Sequence, residues 1–289
     1  MVSGNNFVRY VNRMSPSQPE QVPLSDQLDR NPLNGLTKGP NLVGGFLKGL
    51  AVIEAFDGGH SRLSISDVAK ETGLDRAASR RLLLTLVSAG YAEFDGKFFQ
   101  LAPRILRLGF AYLRSAPLPR FIQPYLEQVA KNTEESCSAA VLDGTDILFI
   151  ARATKQRIVS INIGVGSRLP AYCSTMGHVL LAALPPEKAR EILLASDRKP
   201  LTPKTVTDVD ALIAEFARIR EQNYAIIDEE IEVGIRSVAV PVYNKRGEVV
   251  AALNVGAQTS RVSVEDLKNE FLPRLLKAQA ELRQVIDIQ

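Results

Sequence analysis

Arg76 and Arg80 stand four residues apart, with Arg81 beside them, in a stretch (RAASRRLLLTL) whose apolar residues recur at helical spacing. Guanidinium groups on one exposed helix face fit phosphate oxygens and the O6 and N7 edge of guanine; the methyls of Ala77 and Ala78 fit thymine. Ser64 and Ser66, at the start of the preceding helix, and Lys97, in a turn, complete the set as phosphate contacts. The plain alternative is a solvated charged face. A second pair, Cys173 and His178, has the residue types of a thiolate nucleophile and its base. No third orienting residue accompanies it, and a buried, inert thiol is the simpler reading. Gly-x-Gly-x-x-Gly, phosphate-loop and His-Glu-x-x-His patterns are absent from the sequence. Two cysteines are too few for a disulfide framework, or for a four-ligand zinc site unless His60 and His178 join. We therefore assign no catalytic residue, metal or cofactor.

The elements that must hold these residues follow from local signals. Phe46, Leu50, Ile53 and Phe56 make one helix face ending at Gly58-Gly59. Ser64 and Asp67 form a capping box for a short helix that stops at Thr72-Gly73. Asp75 caps a third helix running to about Ala89, with Ser79, Leu82, Leu83 and Leu86 inward and Arg76, Ala77, Arg80, Arg81 and Leu84 on other sides. Asp95-Gly96, between β-favouring segments, predicts a hairpin. Three helices followed by such a wing make a winged helix-turn-helix, predicted over 44–102. A helix opening at Pro103 and stopping before Pro117 and Pro119 is a linker (103–116).

The remainder (117–289) reads as α/β. A helix is expected near 120–133, then strands at 136–142, 147–153 and 159–163, and helices at 175–184, 186–196 and 208–221. Strands at 225–228, 236–243 and 248–255 follow, the last two flanking a hairpin turn at 244–247. A final helix carries Val264 to Val285, kinked or started late by Pro273. The sheet is therefore at least partly antiparallel, and the fold class is α+β. Residues 1–43 are polar and Pro-containing and read as a disordered extension.

Composition agrees with a globular protein: 289 residues, 45% hydrophobic, 23% charged. Short periods and long apolar runs are missing, which excludes collagen, solenoids and membrane helices. Nothing at the start resembles a signal peptide, so a cytoplasmic location is expected. The net charge is only +3, but residues 1–115 hold 14 Lys/Arg against 10 Asp/Glu and the rest 21 against 22, so the excess sits beside the predicted helix-turn-helix.

The strings SISDVAKETGLDRAASRRLLLTLVSAGY, VGSRLPAYCSTMGHVLLAALP, DEEIEVGIRSVAVPVYN and AALNVGAQTSR, in this order, resemble the IclR family of bacterial transcription regulators over residues 45–289. The likeness is strongest to the subgroup controlling protocatechuate and 4-hydroxybenzoate catabolism through the β-ketoadipate pathway. It implies a GAF-like effector domain, a homodimer or homotetramer, and palindromic double-stranded operators. It also implies an effector pocket at Thr175, Met176, Gly177, Asp228, Ser237, Asn254 and Gly256, for a small aromatic acid or keto-acid. To these, chemistry adds Arg168 and His178 as positive charge and Tyr172 for stacking or hydrogen bonding. In that subgroup an Arg is common where His178 stands, so this chain departs there. For Asp228 the structural alternative is a cap or turn, and for Arg236 a pair with Glu229 or Glu232. Two other function classes compete: a GAF-like small-molecule enzyme using Cys173, and a winged helix used only for protein contacts. The first is tested by whether a Cys173→Ser protein still binds ligand and regulates, the second by salt-dependent DNA binding.

Overall fold

The computed structural model describes residues 42–56, 60–154 and 163–286. Residues 1–41 of the expected extension, Gly58-Gly59 and residues 159–162 of the expected strand lie outside them. The chain divides into two compact units between Ala111 and Tyr112.

In the first unit, α1 (Gly44–Glu54), α2 (Ile65–Thr72) and α3 (Arg76–Ser88) precede the wing strands β1 (Ala92–Phe94) and β2 (Phe99–Leu101). The capping box forms: Ser64 Oγ accepts from the Asp67 N–H, and Asp67 accepts from the Ser64 N–H. Gly73, at φ +67°, ends α2, and Asp75 then accepts from the Ala78 N–H to open α3. At the wing turn Gly96 has φ +102°, where a side chain would be strained, and Asp95 accepts from the Lys97 and Phe98 N–H groups. Val52, Leu63, Val68, Leu83 and Phe99 fill the core, and a Leu63–Phe99 bridge ties the segment before α2 to the wing.

A 3-10 turn (Pro103–Ile105) leads into α4 (Leu106–Ser115), inside which the unit boundary falls. The next helix, α5 (Pro117–Thr133), starts earlier than expected, because Pro117 at its first turn needs no N–H partner.

The second unit is a six-stranded sheet in the order β5-β4-β3-β8-β7-β6, every neighbouring pair antiparallel. Its strands are β3 (Ser136–Asp143), β4 (Asp146–Ala153), β5 (Arg168–Pro170), β6 (Ala225–Asp228), β7 (Ile235–Tyr243) and β8 (Val249–Gln258). Edge strand β5 is not among the strands expected from the sequence, because three residues are too few to show alternation. One face packs on α5 and the C-terminal helix through Cys137, Ala139, Val238, Val240, Leu253 and Val255. The other packs on α6 (Thr175–Ala182), α7 (Pro186–Ala195) and α8 (Val209–Gln222) through Ala140, Phe149, Ala239 and Ala252. The final helix is α9 (Val264–Asp266), a π-helical turn (Leu267–Phe271) and α10 (Leu272–Val285). That widened turn ends two residues before Pro273 and absorbs the missing N–H, so the irregularity is a bulge followed by a fresh start.

Candidate DNA-reading helix and effector pocket

On α3 the burial pattern separates two faces. Ala78, Ser79 and Leu83 are buried, whereas Arg76, Ala77, Arg80, Arg81 and Leu84 are exposed. Ala78 is therefore corrected: it lies 8% exposed against the core, one residue past the exposed edge, and its methyl is not available to a base. Among the described residues no carboxylate pairs with Arg76, Arg80 or Arg81. Ser66 is exposed, and Lys97 lies at the wing tip with its Nζ 4.9 Å above the Phe98 ring. Ser64 is half-buried and its hydroxyl is committed to the cap. Arg62, which sequence reasoning passed over, pairs with Asp95 and lies over Phe98.

In the second unit the strand register places the remaining candidates. Arg152, Ser138, Asn254 and Ala239 oppose one another across β4, β3, β8 and β7. Ser136, Gly256, Ser237 and Ile227 form the adjacent row on the same side, the side of α6. Thr175, in the first turn of α6, is hydrogen-bonded through its hydroxyl to that of Ser237. A Cβ built on Gly256 meets nothing within 4 Å, so the face is open there. Thr175, Ser237, Asn254 and Gly256 are thus brought together. Met176 is 1% exposed and packs in the core behind them.

Gly177 is explained by packing: a Cβ there would lie 2.2 Å from the Ala171 carbonyl oxygen, and its N–H already donates to Ser174 Oγ. Four other residues are corrected. Arg168 stands opposite Leu148 on the far face, its guanidinium held by Asp143 and Asp146. Asp228 is opposite Arg236, also on the far face, and pairs with it at 2.8 Å and with Lys204 at 2.7 Å. Burial alone would raise its carboxyl; Lys204 and Arg236 hold it below the usual range. Arg236 therefore pairs with Asp228, not with Glu229 or Glu232. Tyr172 is buried, its hydroxyl donating to the Lys199 carbonyl at 2.6 Å. His178 is 3% exposed, edge-on to Phe216 at 5.3 Å, with Nε2 2.6 Å from the Tyr172 carbonyl. Burial pushes its pKa down to about 4, so it is neutral near pH 7 and supplies no positive charge.

Cys173 is fully buried and burial pushes its thiol up, while its Sγ faces the Pro170 carbonyl at 3.9 Å. A buried, protonated thiol without a base is a poor nucleophile, which counts against the Cys173 enzyme reading.

Sequence reasoning missed Arg152 and Ser138. Arg152 is half-buried, with Nη1 donating to Ser138 Oγ at 3.2 Å. Its Nε and the Asn254 Oδ1 are buried with no hydrogen-bond partner. Burial holds the guanidinium pKa below its ordinary value. The signal was present: one cation inside the otherwise apolar run Ile147 to Ala153. Glu230, on the β6–β7 connection, has its pKa raised to about 7 by burial, opposed only by the Val206 N–H.

Comparison with known proteins matches residues 47–96 to the IclR helix-turn-helix domain and residues 110–283 to the bacterial transcriptional regulator IclR C-terminal domain. The Pca regulon regulatory protein of Pseudomonas putida is 41% identical over 92% of this chain and 93% of its own length. The p-hydroxybenzoate hydroxylase transcriptional activator of Acinetobacter baylyi is 36% identical over 84% of this chain and 92% of its own. An IclR homolog from Microbacterium hydrocarbonoxydans, solved in complex with 4-hydroxybenzoate, superposes with a TM-score of 0.69 at 27% identity, covering 83% of this chain and 98% of its own.

Proposed function

Since this chain belongs to the IclR family of bacterial transcription regulators, we propose that it is a cytoplasmic regulator whose α3 reads a palindromic operator and whose sheet-and-helix unit binds a small aromatic acid or keto-acid. The genes under its control are then those of protocatechuate or 4-hydroxybenzoate breakdown, the reading favoured by the two relatives named for p-hydroxybenzoate or solved with it. The observation that carries the DNA part is the exposed face of Arg76, Ala77, Arg80 and Arg81, unpaired with any described carboxylate. Ser66 and Lys97 flank it as phosphate contacts. Thr175, Ser237, Asn254 and Gly256 line the effector pocket.

Two copies read the two half-sites. Exposed Phe46 and Leu50 of α1, and Leu106, Leu108 and Phe110 of α4, offer the apolar surface such a homodimer or homotetramer covers. The domain limits 44–102, 103–116 and 117–289 follow as the units of this division of labour.

Fluorescence anisotropy of the full chain on DNA selected from its own promoter region, with and without 4-hydroxybenzoate or protocatechuate, tests the reading. Operator affinity changes with ligand, and calorimetry finds the ligand's affinity changed by the same factor when DNA is bound. DNA binding that is absent, or insensitive to salt, returns the head to a protein-contact module.

A further inference from the structure

We infer that Arg152 is the counter-ion for the carboxylate of the effector, gripping it side-on through Nε and Nη2; this assignment rests on the reading that the second unit binds a small organic acid. Among other arginines in this unit, Arg168 pairs with Asp143 and Asp146, Arg236 with Asp228 and Arg261 with Glu135, while the half-buried Arg198 donates to the Ser196 and Thr207 carbonyls. Arg152 has Ser138 Oγ alone, on Nη1, and an Nε left orphaned among the described residues. The adjoining residues 155–162 (KQRIVSIN) contain no Asp or Glu, so they hold no counter-ion for it.

The free edge has the geometry that matters. With Nη1 engaged, Nε and Nη2 remain as two parallel donors, the fork that matches both oxygens of one carboxylate. The neighbouring positions suit a ring attached to that carboxylate. Ala239 and Ala252 are short and apolar, Gly256 leaves open space, and Asn254 Oδ1 is a buried acceptor awaiting a donor such as a ring hydroxyl. A half-buried cation without an anionic partner is unfavourable for the empty protein and becomes favourable when an anion arrives, so its presence selects acids over neutral isosteres.

The test is calorimetry on the full chain with 4-hydroxybenzoate, its neutral isostere 4-hydroxybenzamide, and levulinate as a non-aromatic keto-acid. Wild type prefers 4-hydroxybenzoate to the amide; Arg152→Met weakens the acid by about 10- to 100-fold and erases the preference, and Arg152→Lys restores part of it. Acid binding by Arg152→Met equal to wild type overturns the anchor and leaves the aromatic reading standing. Levulinate binding that depends on Arg152, with no binding of 4-hydroxybenzoate, supports the anchor and overturns the aromatic reading. Wild type that binds neither acid overturns both. Thermal melts of the ligand-free variants separate a binding role from a structural one: Arg152→Met melts at or above wild type, and a large drop overturns the assignment.

Discussion

Both units carry arginines without a carboxylate, in opposite surroundings. On α3 they stand in water, where an unpaired guanidinium costs nothing and acts through its field over a Debye length of about 8–10 Å. In the second unit Arg152 is half-buried, where the missing partner is costly and only a contacting anion relieves it. The head is built to attract a polyanion and the body to admit one charge in one orientation.

Salt separates the two most strongly. If about six phosphates are contacted, operator affinity falls about a thousand-fold between 50 and 200 mM salt, whereas acid binding to the second unit changes by about two-fold or less. Anisotropy and calorimetry in matched buffers check this. Equal slopes would erase the contrast. Arg80→Ala costs about 1–3 kcal/mol of operator affinity and flattens the salt slope by about one, with the effector's affinity unchanged.

Packing is the next difference. Gly177→Ala forces a methyl against the Ala171 carbonyl and lowers the stability of the second unit by about 3 kcal/mol in urea melts. Ala77→Ser, on the exposed face of α3, stays within about 0.5 kcal/mol.

Titration sharpens the contrast further. Glu230 has its pKa raised to about 7 by burial. Between pH 4.5 and 7 the folded state therefore holds a proton that the unfolded state has lost, and this carboxyl makes stability fall as pH rises through that window. Glu230→Gln removes the penalty: near pH 4.5 it matches wild type, and at pH 8 it is more stable by about 2 kcal/mol, allowing for partial solvent screening. His178 acts with the opposite sign, since its folded pKa near 4 makes stability rise with pH between about 4 and 6.5. The Gln variant's difference from wild type isolates the carboxyl. The smallest effect is at sulfur: Cys137 and Cys173 do not react with a thiol reagent until the second unit opens, and prompt labelling in the native protein would contradict their burial.

The winged helix was legible because each of its signals is local. Ser64 with Asp67, Gly73, Asp75 and Asp95-Gly96 act within four residues, so spacing alone locates α2, α3 and the wing. Ala78 was misjudged because a helix face has an edge that only packing decides. The pocket was legible less well, since its members meet across strands whose register is not written locally. Asp228 and Ser237 lie on opposite faces of the sheet, and Arg168 is turned to the far side by its place opposite Leu148. Charge did not reveal whether an arginine was already paired, and so Arg168 drew the notice that Arg152 warranted.

The middle of the sheet has one further consequence, for the order of assembly at the ribosome. β3 lies next to β8, joining residues 136–140 to 252–256. Emerging N-terminus first at about 5–20 residues per second, the tri-helical head can complete its own short-range contacts while most of the chain is still unmade. The second unit must wait, because β3 exposes an edge until the partner strand arrives more than a hundred residues later. A chain released early therefore leaves a finished DNA-binding head attached to an aggregation-prone stub.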